Sequence, residues 1–142
     1  MRLLALDVGK KRIGLAICDE EGRVATPLHT LNRRGGKADL DAIAEVVTSM
    51  SVEGLVAGLP LTLEGREGGA ARQARRFADK VGAHLGWDVH YVDERFTSVQ
   101  AERALLEADV SRKKRRDVVD AIAASLILQA YLDGSGRAQG QP

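Results

Sequence analysis

Met1-Arg2-Leu3-Leu4-Ala5-Leu6-Asp7-Val8-Gly9-Lys10-Lys11-Arg12-Ile13-Gly14-Leu15-Ala16 opens the chain as two apolar runs around a basic turn. The first run delivers Asp7. Gly9 and Gly14 bracket Lys10, Lys11 and Arg12, and the second run returns to Ile17. This is the pattern of a hairpin with a carboxylate at its mouth. Glycines permit a close backbone approach and cations suit phosphate, so metal and phosphate have a natural meeting place here. A strand that simply ends in a turn-forming Asp gives the same pattern, and this stretch alone does not separate the two.

Working outward, Asp19-Glu20-Glu21-Gly22 predicts a turn, and Arg23 to Leu31 a third strand, with Pro27 marking an edge or bulge. Three strands in succession predict an antiparallel meander. Arg33 to Lys37 is a basic, flexible break. From Ala38 to Met50, Leu40, Ile43, Val47 and Met50 recur at helical spacing with Asp39, Asp41 and Glu45 on the other side, which predicts a surface helix. Gly54 to Pro60 is continuously apolar and bounded by breakers, as in a strand buried on both faces that returns to the sheet by a crossover.

The loop 61–69 is glycine-rich. A second helix is expected from about Ala70 to Leu85, with Arg72, Arg75, Arg76 and Lys80 outward and Gly86 as its stop. A strand from Trp87 to Val92 ends in Asp93-Glu94-Arg95, and Thr97 to Gln100 fits a capping box for a helix to about Ala108. Ser111 precedes five consecutive cations, Arg112, Lys113, Lys114, Arg115 and Arg116, and a last helix is expected from Asp117 to Leu132. That helix carries almost no polar face. Asp120 therefore needs a cation or metal partner, or an exposed helix end, while Asp117 is either a further ligand or an N-terminal cap.

Composition narrows the function. The 142 residues suit one domain, expected over 1–133 with a disordered tail at 134–142. One Trp, two Tyr and two Phe do not make an aromatic platform for single-stranded bases, and a net charge of +1 argues against coating nucleic acid by bulk charge. Cys18 stands alone, so it forms no internal disulfide and reads as a small buried hydrophobe. Asp7 interrupts the first apolar run too early for a signal peptide or membrane span, so a cytoplasmic protein is expected. His29, His84 and His90 have no site-like spacing.

The expected order is three strands, then helix, strand, helix, strand and two helices, an α/β fold. Ligands of such sheets lie beyond the carboxyl ends of the parallel strands, where Asp7, Glu94 and Asp120 can converge. Three carboxylates in one place repel unless cations neutralise them, and hard oxygen donors suit Mg²⁺ or Mn²⁺. Such ions support phosphodiester cleavage. Arg12, Arg95 and the run 112–116, with Lys10 and Lys11, are the candidate phosphate contacts, and Thr97 and Ser98 are weaker ones.

Four blocks carry a family resemblance: Asp7-Val8-Gly9 with Arg12 to Ala16, Val56 to Pro60, Asp93 to Ser98, and Asp120 to Ala124 running into Ile127-Leu128-Gln129. Together they closely resemble the YqgF (RuvX) family. The resemblance implies a ribonuclease-H-like three-layer fold, with a mixed five-stranded sheet of an antiparallel meander plus two parallel strands. It implies a bacterial nuclease, described both as Holliday junction resolvase-like and as maturing the 5′ end of the small-subunit (16S) ribosomal RNA precursor. Asp7 and Asp120 match the first and last metal-binding acids, Glu94 matches the acid of the Asp-Glu-Arg block, and Asp117 agrees with a paired-acid spacing. In the related resolvases an acid ends the fourth strand, where this chain has Gly58, so Glu94 would have to substitute. The expected partner is ribosomal RNA precursor or branched DNA, bound by a monomer or homodimer.

Two rival readings remain. The opening Asp-x-Gly also resembles the first phosphate segment of actin-like ATPases and sugar kinases, which need a second domain for which this chain has no room. The other is a non-catalytic nucleic-acid adaptor, against which the three acids speak.

Overall fold

The computed structural model describes residues 1–109 and 112–134, with the side chains of 100, 107, 109 and 112–117 outside that description. The tail expected at 134–142 therefore lies, beyond Gly134, outside the described residues. Strands β1 (Leu3–Val8), β2 (Arg12–Cys18) and β3 (Ala25–Asn32) form the meander; helix α1 (Gly36–Ser49), β4 (Gly54–Leu59), helix α2 (Gly69–Leu85) and β5 (Val89–Asp93) follow. After a 3₁₀ turn at Glu94–Phe96 come α3 (Val99–Asp109) and α4 (Arg112–Leu132).

The sheet has the order β3-β2-β1-β4-β5, with β1 antiparallel to β2 and parallel to β4, and β4 parallel to β5. Parallel pairing needs crossovers, and α1 and α2 supply both on one face. There Leu4, Leu6, Ile13, Leu15, Leu55 and Leu59 pack against Ile43, Phe77 and Val81. On the other face Ala5, Ala16, Val56 and Val92 meet Ala123, Ala124, Ile127 and Leu128 of α4, and α3 packs on α4. β1, β2, β4 and β5 thus alternate between two cores, which is why β1 and β4 read as unbroken apolar runs.

Pro27 lies on the edge strand, and the β2–β3 register shifts beside it, between Leu15 and Ala16. Both expectations for this proline hold, since an edge or a bulge tolerates the missing N–H. Cys18 is buried, and its Sγ accepts a bond from the Leu3 N–H at 3.1 Å.

Two local expectations change. Asp39 does not lie on the outer face of α1; it is buried, accepting from the Arg34 and Gly35 N–H groups at 2.8 and 3.0 Å and pairing with Arg33. A short carboxylate near a helix start finds free backbone donors, and that local bonding overrides periodicity. Helix α4 begins at Arg112 rather than Asp117, so the basic run forms its first turns. Lys and Arg are good helix formers, and their charge interrupts an apolar pattern without interrupting the helix. Asp117 consequently sits inside α4 and is not its N-terminal cap.

Candidate active site

Asp7 stands at the end of β1 directly across from Gly14 on β2. A Cβ at Gly14 would lie 1.9 Å from the backbone oxygen of Asp120, so the missing side chain is what lets the α4 backbone rest on the sheet. Gly14 thereby sets the height at which α4 delivers Asp120 beside Asp7. Gly9 closes the intervening turn, its N–H donating to the Arg12 carbonyl at 2.9 Å.

Asp7 and Asp120 share a partner that periodicity does not reveal. The Arg103 guanidinium of α3 donates through one Nη to Asp7 Oδ2 at 2.6 Å and through the other to Asp120 Oδ1 at 3.1 Å. Arg12 Nε adds a bond to Asp120 Oδ2 at 2.8 Å. The buried Asp120 carboxylate thus has the cation partner its burial demands, in fact two. Arg103 was not among the residues expected here; it sits on a mixed polar helix and pairs with Asp7 across 96 positions of sequence.

Glu94 follows β5 immediately and reaches over β4. A Cβ at Gly58 would stand 2.8 Å from Glu94 Oε2 and 2.6 Å from Ile127 Cδ1. The Glu94 carboxylate therefore occupies the space above Gly58 that a side chain there would enter. Burial raises the Glu94 carboxyl from its ordinary 4.5 to about 7, the charge of Asp7 adds to the rise, and Arg103 opposes it. Burial also raises Asp7, against the opposing charge and hydrogen bond of Arg103 and with a further push from Asp120.

These shifts give a stability prediction. A raised carboxyl holds its proton when folded and loses it when unfolded, so the native state loses stability as pH rises from about 4.5 to about 7. With chelator present, urea unfolding should show a fall on the order of 3 kcal/mol across that window. Glu94→Gln should remove the part that Glu94 carries. A slope equal in both proteins would contradict this account of Glu94.

An open pocket of about 390 Å³ joins these groups, lined by Asp7, Val8, Gly9, Lys10, Lys11, Arg12, Pro60, Glu94, Val99, Arg103 and Asp120. Six of the expected residues thus meet: Asp7, Lys10, Lys11, Arg12, Glu94 and Asp120. Arg95 does not line it. Its guanidinium is held by Asp93, with Nη2 at 2.5 Å from Oδ2, and donates to the Leu63 carbonyl at 3.2 Å, tying down the loop after β4. Although burial acts to raise the Asp93 carboxyl, the hydrogen bonds from Arg95 keep it below its ordinary value. Thr97 donates its hydroxyl to the Glu94 carbonyl at 2.8 Å. The side chains of Asp117 and of 112–116 lie outside the described residues.

Among the described residues no group of three or more His, Cys, Asp or Glu side chains is placed to hold a metal ion. The carboxylates of Asp7, Glu94 and Asp120 are nevertheless hard oxygen donors of the kind a divalent cation would take. Asp7 and Asp120 turn oxygens to one shared positive group, the Arg103 guanidinium, and Glu94 lies within reach of the Asp7 charge.

A chain from Moorella thermoacetica is 49% identical over 96% of this chain and 98% of its own, and one from Myxococcus xanthus 47% over 94% and 88%; both are named "Putative pre-16S rRNA nuclease". Among solved structures, Thermus thermophilus RuvC in complex with a Holliday junction substrate matches with a TM-score of 0.59 at 14% identity, covering 94% of both chains. At that identity the likeness establishes the fold, a RuvC-like member of the ribonuclease-H-like class. The family model described as "RuvX: Holliday junction resolvase" matches residues 1–134, and with relatives this similar along almost the whole chain, the protein belongs to the RuvX family.

Proposed function

We propose that this chain is a divalent-metal-dependent nuclease whose substrate is ribosomal RNA precursor at the 5′ end of 16S rRNA. The observation that carries the reading is the meeting of Asp7, Glu94 and Asp120 in one cation-rimmed pocket, in a chain whose relatives bear the nuclease name. Asp7, Glu94 and Asp120 would hold Mg²⁺ or Mn²⁺, with Asp117 as a further candidate ligand. When bound, the metal supplies an activated water and neutralises charge at the leaving oxygen. The chain's own residues set the stage: Gly14 fixes Asp120 against Asp7, Gly58 leaves room for Glu94, and the turn Gly9 to Arg12 offers backbone and cations to phosphate. Lys10, Lys11, Arg12 and the 112–116 run contact flanking phosphates, and Arg95 acts there only by holding the adjoining loop. The unit is residues 1–133, working in the cytoplasm; among the described residues no helix is long and apolar enough to cross a membrane.

The family description and the RuvC fold favour a second reading, cleavage of branched DNA, which requires two sites, as in a homodimer. Labelled precursor RNA, unrelated single-stranded RNA and a four-way DNA junction, each with Mg²⁺, Mn²⁺ or chelator, separate the readings. Cleavage of the precursor with metal alone supports the first, preferential cutting of the junction the second. Binding of every substrate with no cleavage under any metal would leave an adaptor. In the same assays Lys10→Ala with Lys11→Ala should weaken binding evenly across sequences. The logarithmic salt slope should become shallower by roughly 0.7 for each single-strand phosphate no longer engaged. An unchanged slope would remove these lysines from the interface.

A further inference from the structure

We propose that Arg103 is a displaceable counter-cation of the site, holding Asp7 and Asp120 together until a divalent ion takes its place, and then presenting its guanidinium to a substrate phosphate. The inference rests on the metal-dependent reading above. Its basis is the bidentate bridge, with contacts of 2.6 and 3.1 Å to oxygens of the two acids that converge from β1 and α4. A guanidinium and a divalent ion cannot both occupy the space between those oxygens. While Arg103 is there, it offsets the charge of both acids and presets their mutual spacing.

Release is sterically open. The Arg103 side chain is 32% exposed, whereas those of Asp7 and Asp120 are 13% and 10% exposed. The arginine therefore has a path to water that the carboxylates lack. It also lines the same pocket as Lys10, Lys11 and Arg12, so a freed guanidinium stays among groups suited to an anion. A long flexible stem carrying a planar fork can exchange a carboxylate pair for phosphate oxygens without moving helix α3. Arg103 is thus a positioning residue before metal enters and a phosphate contact afterwards.

Mn²⁺ titration by calorimetry without nucleic acid tests the first half, using wild type, Arg103→Met, Arg103→Lys and Asp7→Asn. Arg103→Met keeps the apolar stem and removes the competitor, so its Mn²⁺ affinity should be at least about tenfold tighter. Its melting temperature should fall in chelator and be raised by Mn²⁺ more than that of wild type. Arg103→Lys, whose single ammonium cannot fork between the acids, should fall between. Mn²⁺ affinity unchanged or weaker in Arg103→Met overturns the proposal; if that variant does not fold in chelator, the same result in Arg103→Lys does so. Equal binding in wild type and Arg103→Met, abolished in Asp7→Asn, would spare the metal reading and overturn this one alone. Failure of every protein to take Mn²⁺ would overturn both. For the second half, single-stranded RNA binding in Ca²⁺ should be weaker for Arg103→Met than for wild type, with little difference in chelator. Equal RNA affinity in Ca²⁺ would overturn the transfer to phosphate.

Discussion

Gly14→Ala is expected to cost about 3 kcal/mol or more of stability, and to abolish function in whatever fraction still folds. The added methyl would sit 1.9 Å from the Asp120 backbone oxygen and 2.3 Å from its carbonyl carbon, inside any tolerable contact. Neither partner yields cheaply. Gly14 is on β2, a central strand paired on both sides, and Asp120 belongs to the longest helix, whose Ala123, Ala124, Ile127 and Leu128 are locked into the core behind it. A shift of α4 away from the sheet would pull Asp120 from Asp7 and break the bond from Arg12 Nε. Chemical denaturation and circular dichroism measure the first effect, and metal-dependent cleavage measures the second. Gly35→Ala makes a useful contrast: nothing stands within 4 Å of its Cβ, though its φ of +93° still carries backbone strain. Wild-type stability in Gly14→Ala would refute the role assigned to that glycine.

Gly14 also shows where reading from sequence reaches its limit. Its spacing after Gly9 signals a close backbone approach, and the structure has one, but the approaching group is the α4 backbone rather than phosphate. A glycine reports that something comes near; the identity of that neighbour is a matter of tertiary structure. The acids were accessible for a different reason. Asp7 and Glu94 terminate apolar strand patterns, and Asp120 interrupts an apolar helix, so each conflicts with its local environment in a way the residue pattern alone exposes. Arg103 creates no such conflict. An arginine on a partly exposed helix is locally ordinary, and its importance arises only when α3 is laid against α4. The meander and the crossover back to the sheet were legible because tight turns and an intervening helix leave few alternatives, whereas the start of α4 was obscured by a charged run that is locally as helical as the apolar run after it.

If Asp7 and Asp120 hold the metal as proposed, Asp7→Asn and Asp120→Asn should each reduce metal-dependent cleavage by on the order of a thousandfold or more, because an amide cannot supply the charge that a divalent ion requires. Their effects on stability should differ, and that difference separates loss of chemistry from loss of structure. Asp7 pairs with Arg103, and its ionised form already suffers from burial and from the nearby Asp120. Replacing it by a neutral isostere removes a repulsion along with an attraction, and Arg103 keeps Asp120 as partner, so unfolding in chelator should change by about 1 kcal/mol or less. Removing the Asp7 charge should also lower the pH at which Glu94 ionises, shrinking the pH-dependent fall in stability. Asp120 is the anion for both Arg12 and Arg103, so Asp120→Asn takes that carboxylate from Arg12 and leaves Arg103 with Asp7 alone. A loss of about 2 kcal/mol is expected there, moderated because both arginine side chains reach water. Equal inactivation with unequal stability is the result this site demands. Full cleavage by folded Asp7→Asn would show that the pocket is not where phosphodiester chemistry occurs.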